Sequence, residues 1–162
     1  MEVRTANPED WPEIWPFFHQ VVEAGETYAY APGLTSEEAS RMWLQPAPSH
    51  AAVAVEHGRI LGTATMGPNR PGRGSHIGTA SFVVDPAVRR RGVGLALGEY
   101  VVDWHRRRGY QGIQFNAVVE TNLAALELWR RLGFTVVGTI PGAFDHATKG
   151  YVGLCVMFLP LG

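Results

Sequence analysis

Val84-Asp85-Pro86-Ala87-Val88-Arg89-Arg90-Arg91-Gly92-Val93-Gly94-Leu95 runs from an apolar stretch, through a turn and a basic glycine loop, into a helical repeat. The apolar residues Ile77 to Val84 read as a strand, and Asp85-Pro86 ends it. Helical spacing then takes over at Val93, Leu97, Tyr100, Val101 and Trp104. The first N–H groups of a helix have no backbone partner and sit at the positive end of its dipole. Glycines that admit an anion closely, with arginines adding charge, make such a junction a phosphate cradle. The competing reading is a solvated arginine turn before an ordinary helix start. Arg106, Arg107 and Arg108, by contrast, complement the C-terminus of the same helix, and Gly109 caps it.

Outward from this junction the chain alternates cleanly. Toward the N-terminus, Glu2 to Ala6 reads as a strand. Pro8-Glu9-Asp10 opens a helix whose apolar stripe is Trp11, Ile14, Trp15, Phe18, Val21 and Val22, and Gly25 ends it. Thr35-Ser36-Glu37-Glu38 is a capping box for a second helix through Met42 and Trp43. Ala51 to Glu56 and Ile60 to Met66 form a hairpin about His57-Gly58-Arg59, and Pro68 to Gly74 is an irregular loop. Toward the C-terminus, Gly112 to Val118 is a strand and Asn122 caps a helix through Leu132. Phe134 to Ile140 and Tyr151 to Leu159 are the closing strands. The order βααβββαβαββ predicts an α+β fold, layered α/β/α, with a mixed central sheet and helices on both faces. Trp11, Trp15, Phe18 and Trp104 are core candidates.

Composition narrows the function classes. The 162 residues are 46% hydrophobic, enough for one domain spanning residues 1–162 and too few for a second. Lys and Arg number 14 against 15 Asp and Glu, so a nucleic-acid partner is disfavoured and any anion site is local. The single cysteine, Cys155, and the lack of Cys/His clusters at zinc spacing argue against a disulfide framework and a metal site. The first residues carry no leader pattern, and no apolar run spans a membrane, so a cytoplasmic protein is expected.

Two phosphate motifs fail. Gly92, Gly94 and Gly98 partly match a dinucleotide fingerprint, which would imply a nicotinamide-dependent oxidoreductase. The loop from the strand to the first glycine is too long for it. A Walker loop fails because no Gly-Lys-Ser/Thr occurs.

The pattern Val84-x-Pro86-x-x-Arg89-x-x-Gly92-x-Gly94 resembles the acyl-CoA loop of the GNAT superfamily of N-acyltransferases. Asn122-x-x-Ala125-x-x-Leu128-Trp129-x-x-Leu132-Gly133-Phe134 is similar to that family's later helix, at a separation suiting one helix and one strand between them. The resemblance implies a sheet whose strands four and five splay apart to admit the pantetheine arm of acetyl-CoA, the acyl donor. It assigns Arg89, Arg90, Arg91, Gly92, Val93 and Gly94 to the pyrophosphate. The backbone of Phe82, Val83 and Val84 falls to the pantetheine amides, and Asn122 to the cofactor arm. Asn122 also reads as a plain helix cap. Where the family carries a tyrosine acid this chain has Trp129, whose indole donates only through N–H and supplies no proton to a leaving thiolate. A thiol with a pKa near 8.5 leaves with little help, so Trp129 reads as a wall of the acyl pocket. A noncatalytic acyl-CoA-binding module is the alternative that this departure raises.

On the acceptor side, an amine must lose a proton during acetyl transfer, and the carbonyl oxygen needs N–H donors. Glu120, just before the Asn122 cap, is the best-placed carboxylate, although first-turn helix electrostatics explain it equally. The segment Gln114 to Asn122 also resembles a subgroup that includes fungal acetyltransferases of azetidine-2-carboxylate, with Asn116 and Asn122 at its paired asparagines and Thr79 in place of another. That implies a small amine or amino acid as acceptor, with Asn116, Glu120 and Asn122 as catalytic candidates. Glu26, Tyr28, Tyr30 and Thr79 are candidates to line the acceptor pocket with Asn116. Asp145 and His146, in the last hairpin connection, and His76 read equally as ordinary loop residues. A homodimer is admitted, and no membrane partner is expected.

Overall fold

The computed structural model describes residues Met1–Gly162. Seven strands form one sheet in the order β1-β2-β3-β4-β5-β7-β6: β1 Glu2–Thr5, β2 His50–Glu56, β3 Arg59–Pro68, β4 Ile77–Val84, β5 Gly112–Val119, β6 Thr135–His146 and β7 Gly150–Pro160. Four helices cover it: α1 Trp11–Ala24, α2 Ser36–Trp43, α3 Val93–Arg107 and α4 Leu123–Arg131. All neighbours pair antiparallel except β4 and β5, which are parallel, so the sheet is mixed as expected.

Both faces of the sheet are apolar, and each receives a helical layer. On one side Ile14, Phe18 and Val22 of α1 and Trp43 of α2 bury against Val53, Ile60 and Val83. On the other, Val93, Leu97 and Val101 of α3 and Leu126 and Trp129 of α4 pack on Ala52, Ala64, Ile113, Phe115 and Met157. The Thr35 capping box forms as read, with Thr35 Oγ1 accepting from Glu38 N–H and Glu38 accepting from Thr35 N–H. Trp43 Nε1 donates to the fully buried Thr63 Oγ1 at 3.0 Å, which satisfies its polar tip and fixes α2 on the sheet.

Several boundaries differ from the sequence reading. The opening of α1 is separated from it by a 3-10 turn over Pro8–Asp10. The closing hairpin is longer than expected: β6 continues past Ile140 to His146, so Asp145 and His146 lie in the strand and not in its connection. Pro141 and Gly142 break the alternation that sequence reading depends on. They are tolerated because β6 is the sheet edge and the register shifts between Ile140 and Phe144, giving proline a place where no ladder donor is required.

The parallel β4–β5 ladder is short. It pairs Ile77 with Gly112 and Gly78 with Ile113, and then the strands separate. Beyond Phe115 the register of β5 against β7 shifts by a bulge around Asn116 and Ala117, which bends β5 toward β7 and away from β4. Strands four and five therefore splay.

Beneath the start of the splay lies His105 of α3, with no exposed surface. Its Nδ1 donates to Val101 C=O at 2.8 Å, while Nε2 has no partner. The ring lies so close to β4 that a Cβ on Gly78 would stand 2.2 Å from Cδ2. Burial holds the imidazole below its usual pKa. The unfolded chain therefore binds a proton that the folded chain resists, and this contribution to stability, full above the ordinary histidine value, declines as pH falls below it. Denaturant titration should show stability falling between pH 7 and 5.5 with a contribution from this group of up to about 1.4 kcal/mol per pH unit. That part of the slope should be absent in His105→Asn.

Candidate active site

The junction from β4 into α3 is built by Asp85, which is buried at the end of β4. Its Oδ1 accepts Ala87 N–H at 2.9 Å and its Oδ2 accepts Arg59 at 2.7 Å, so one carboxylate ties the turn Pro86–Val88 to β3. The chain then passes through two left-handed residues, Arg90 at φ 64° and Gly92 at φ 77°, before entering α3. Arginine seldom adopts this conformation, which glycine takes without strain. No side chain caps α3, and its first internal bond runs from Ala96 N–H to Gly92 C=O. The N–H groups of Val93, Gly94 and Leu95 consequently face outward as free donors at the positive helix end.

The three arginines of the loop separate in role. Arg91 forms an ion pair with Glu56 of β2, whereas Arg89 and Arg90 are exposed and make no ion pair. Val93 is buried, and only its backbone is available. The glycines separate as well. A Cβ on Gly92 would meet nothing, so its freedom serves the φ value. One on Gly98 would stand 2.5 Å from Leu132 Cδ1 and 3.2 Å from Trp129 Cζ3. Gly98 thus serves the close approach of α3 and α4.

From this loop the splay leads back along β4. Ladder bonding to β3 and β5 uses alternate residues, which leaves Phe82 presenting both backbone groups to the gap. Its wall is aromatic. Phe82 lies 4.5 Å from Trp129 between centroids, Phe115 lies 5.0 Å from Trp129, and Phe115 stacks on Phe134 at 4.2 Å. Trp129 is buried. Asn122 acts as the cap of α4, accepting Ala125 N–H on Oδ1 at 3.3 Å.

Tyr28 and Tyr30 of the α1–α2 connection reach the same stretch of β4 from the opposite face. Their rings stack at 5.3 Å and 6°, and Tyr30 stacks in turn on Phe18. The Tyr28 hydroxyl bonds the backbone of Phe82 twice, donating to its C=O and accepting its N–H at 2.9 Å. Burial raises both phenols above their usual pKa. The expected acceptor residue Tyr28 and the expected donor-side residue Phe82 are therefore in direct contact. Thr79 lies on β4 two residues before Ser81, while Glu26 and His76 are exposed.

Asn116 stands on the β5 face opposite Phe115. Its Nδ2 donates to Asn69 Oδ1 at 2.7 Å, and its Oδ1 accepts Gln114 Nε2 at 2.9 Å. Neither Asn69 nor Gln114 was among the sequence candidates. Gln114 shares the face of Asn116 by strand alternation and was within reach of a sequence argument; Asn69, 47 residues away, carries no local signal. Glu120 Oε1 accepts Gly153 N–H at 2.7 Å, while Gly153 C=O accepts Glu120 N–H at 3.0 Å. His146 Nδ1 similarly accepts the N–H groups of Thr148 and Lys149 and closes the β6–β7 turn.

A strand with an open edge, running into an uncapped and arginine-flanked helix start inside this sheet order, defines an acyltransferase-like architecture. The acetyltransferase (GNAT) family model matches residues 7–134, and the chain belongs to that family. It is 32% identical over 152 residues to N-acetyltransferase aca1 of Schizosaccharomyces pombe, covering 85% of this chain and 72% of that one. Among solved structures it resembles a GCN5-related N-acetyltransferase from Kribbella flavida, with 55% identity, a TM-score of 0.96, and coverage of 99% of this chain and 97% of that one. The fold is also that of a phosphinothricin acetyltransferase from Sinorhizobium meliloti, solved in complex with AcCoA: TM-score 0.86, 22% identity, 99% and 88% coverage. Membership extends to the family and does not single out the azetidine-2-carboxylate subgroup.

The bond from Glu120 to β7 has a measurable consequence. Glu120→Ala should destabilise the fold by about 1–2 kcal/mol, because a charge-assisted hydrogen bond is lost and Gly153 N–H loses its partner. Glu120→Gln, which keeps an acceptor oxygen, should recover most of it; urea denaturation of the three proteins is the measurement.

Proposed function

We propose that this chain transfers the acetyl group of acetyl-CoA to the amine of a small molecule, an amino acid or its analogue first among candidates. The observation that carries the reading is the continuity of the open β4 edge with the free amides of α3. The edge offers strand-like bonding to an amide-bearing arm, and the helix start offers N–H donors and positive potential to a pyrophosphate. Arg89 and Arg90 are the free cations of that loop, and Arg91 acts through Glu56 as a brace. The AcCoA bound by the Sinorhizobium meliloti relative supports the same donor here.

The donor supplies a thioester carbonyl activated toward amines. A neutral amine nitrogen forms the C–N bond, the C–S bond breaks with its electron pair on sulfur, and the proton shed by nitrogen passes to water. Trp129 holds no transferable proton, and a thiol of pKa about 8.5 departs as thiolate unaided. The aromatic wall of Phe82, Phe115 and Trp129 excludes water from the acyl group and strengthens hydrogen bonds made to it. With its carboxylate held by Gly153, Glu120 serves the β5–β7 frame, while Asn116, with Asn69 and Gln114, presents amide groups suited to a compact polar acceptor.

Calorimetry is the direct test. Acetyl-CoA should bind saturably where NAD(P) does not. Gly92→Ala should weaken acetyl-CoA by about tenfold, since an L-residue held at that left-handed φ costs about 1–2 kcal/mol and displaces the loop. Unchanged affinity in the folded variant would remove the assignment.

Acceptor recognition is tested separately. Turnover across amino acids, proline-like imino acids, polyamines and aminoglycosides should identify a free small amine. Asn116→Ala should then lower kcat/KM by about ten- to a hundredfold while acetyl-CoA affinity holds. Acetylation confined to histone-type peptides contradicts the small-amine reading.

A further inference from the structure

We infer that Tyr28 belongs to the donor site: its hydroxyl holds the position of the acyl oxygen in the free chain and, once that oxygen is present, donates to it beside the Phe82 N–H. The inference rests on the proposed acetyl transfer and adds a catalytic residue to it.

Once β4 leaves β5, the N–H and C=O of Phe82 have no strand partner, and buried backbone groups must be bonded. The chain satisfies both with a single oxygen, the Tyr28 hydroxyl, brought from a loop 54 residues away. An oxygen placed 2.9 Å from Phe82 N is placed where a carbonyl oxygen would accept from that N–H. The position lies at the β4 edge beside the Phe82 backbone and is buried, so a hydrogen bond to developing negative charge counts for more there than in water.

When an acyl oxygen occupies that position, the Tyr28 hydroxyl has to yield it. The tyrosine ring is not free to travel far, because it is stacked face to face on Tyr30, which is itself stacked on Phe18 of α1. A displacement of one hydrogen-bond length turns the O–H from the Phe82 carbonyl to the incoming oxygen, which then has two donors. During transfer the amine nitrogen bonds the acyl carbon and the carbonyl pair moves onto this oxygen. The pair returns as the C–S bond breaks with its electrons on sulfur, and the nitrogen's proton goes to water. Tyr28 keeps its proton throughout. Burial, reinforced by Tyr30 beside it, pushes its hydroxyl well above the usual phenol value, which suits a neutral donor and not an acid. Its part is therefore distinct from that of a residue protonating sulfur.

The test is Tyr28→Phe, with acetyl-CoA affinity read by calorimetry and turnover read with hydroxylamine, a nucleophile small enough to need no acceptor pocket. The expected result is acetyl-CoA binding as tight as in the wild type or tighter, since nothing has to be displaced from Phe82, together with an at least tenfold lower kcat. Tyr30→Phe, whose hydroxyl makes no bond to Phe82, should not reproduce that split. Unchanged turnover with hydroxylamine returns Tyr28 to the acceptor pocket and overturns the inference; so does weakened acetyl-CoA binding, the mark of a loop anchor, and so does wild-type protein that binds acetyl-CoA without transferring to hydroxylamine. Wild-type protein that fails to bind acetyl-CoA overturns the proposed function itself. Should Tyr28→Phe not fold, wild-type protein labelled with 15N-phenylalanine decides the matter, because the Phe82 amide should exchange its partner with acetyl-CoA and keep it with CoA. Equal shifts with the two ligands overturn the inference.

Discussion

The rest of the site depends on one constraint, the brevity of the parallel ladder between β4 and β5. Two residue pairs, Ile77 with Gly112 and Gly78 with Ile113, hold the strands together before they part. A sheet that opens leaves polar backbone groups inside the protein, and their cost has to be met by something other than a strand. On its other edge β5 stays anchored to β7 through a bulge and the Glu120–Gly153 bonds. β4 keeps its ladder to β3, but that ladder uses the other edge, and at Phe82 the edge facing the gap takes a tyrosine hydroxyl from the α1–α2 connection. The same defect in the sheet makes the room that the proposed donor, with amide groups of its own, would use.

Packing on the far face keeps that opening aligned with the phosphate loop. α3 must start at the end of β4 and also lie close to α4, and Gly98 permits this by leaving room for Leu132 and Trp129. At the other end of the splay, Gly78 has no side chain because the His105 ring occupies that space. Asp85 then sets the angle at which the chain leaves β4, since its carboxylate joins the turn to Arg59 of β3. The free amides of α3 thus arrive at the mouth of the gap through contacts made mostly by residues that never face it.

Much of this was legible in the sequence because it is written locally. The capping box at Thr35, the Asn122 cap and the periodic stripe of α1 and α3 each depend on residues within one or two turns of each other. The family motifs likewise single out the basic glycine loop from Arg89 to Gly94. What the sequence hid is long-range or breaks a period. Pro141 and Gly142 interrupt β6 without ending it, and the three arginines at 89 to 91 look equivalent until Glu56 claims Arg91. Glu120 looks like a free carboxylate until Gly153, 33 residues later, proves to be its partner. The link from Asn116 to Asn69 and that from Tyr28 to Phe82 join segments far apart in the chain, and no spacing rule encodes either.

The substitution of tryptophan at 129 is intelligible within this arrangement. A buried indole beside Phe82 and Phe115 makes this end of the gap, where the proposed acyl group would sit, drier and stiffer than a phenol with a hydroxyl to solvate would make it. Drying the pocket removes a proton source but raises the value of every fixed donor directed at the acyl oxygen, because each acts in a less polarisable medium. Thiolate departure needs little acid assistance, whereas charge on the oxygen needs stabilisation at every turnover. If the proposed acetyl transfer holds, a chain with no acid on α4 that keeps the proposed backbone and hydroxyl donors on the β4 side gives up the smaller of the two contributions.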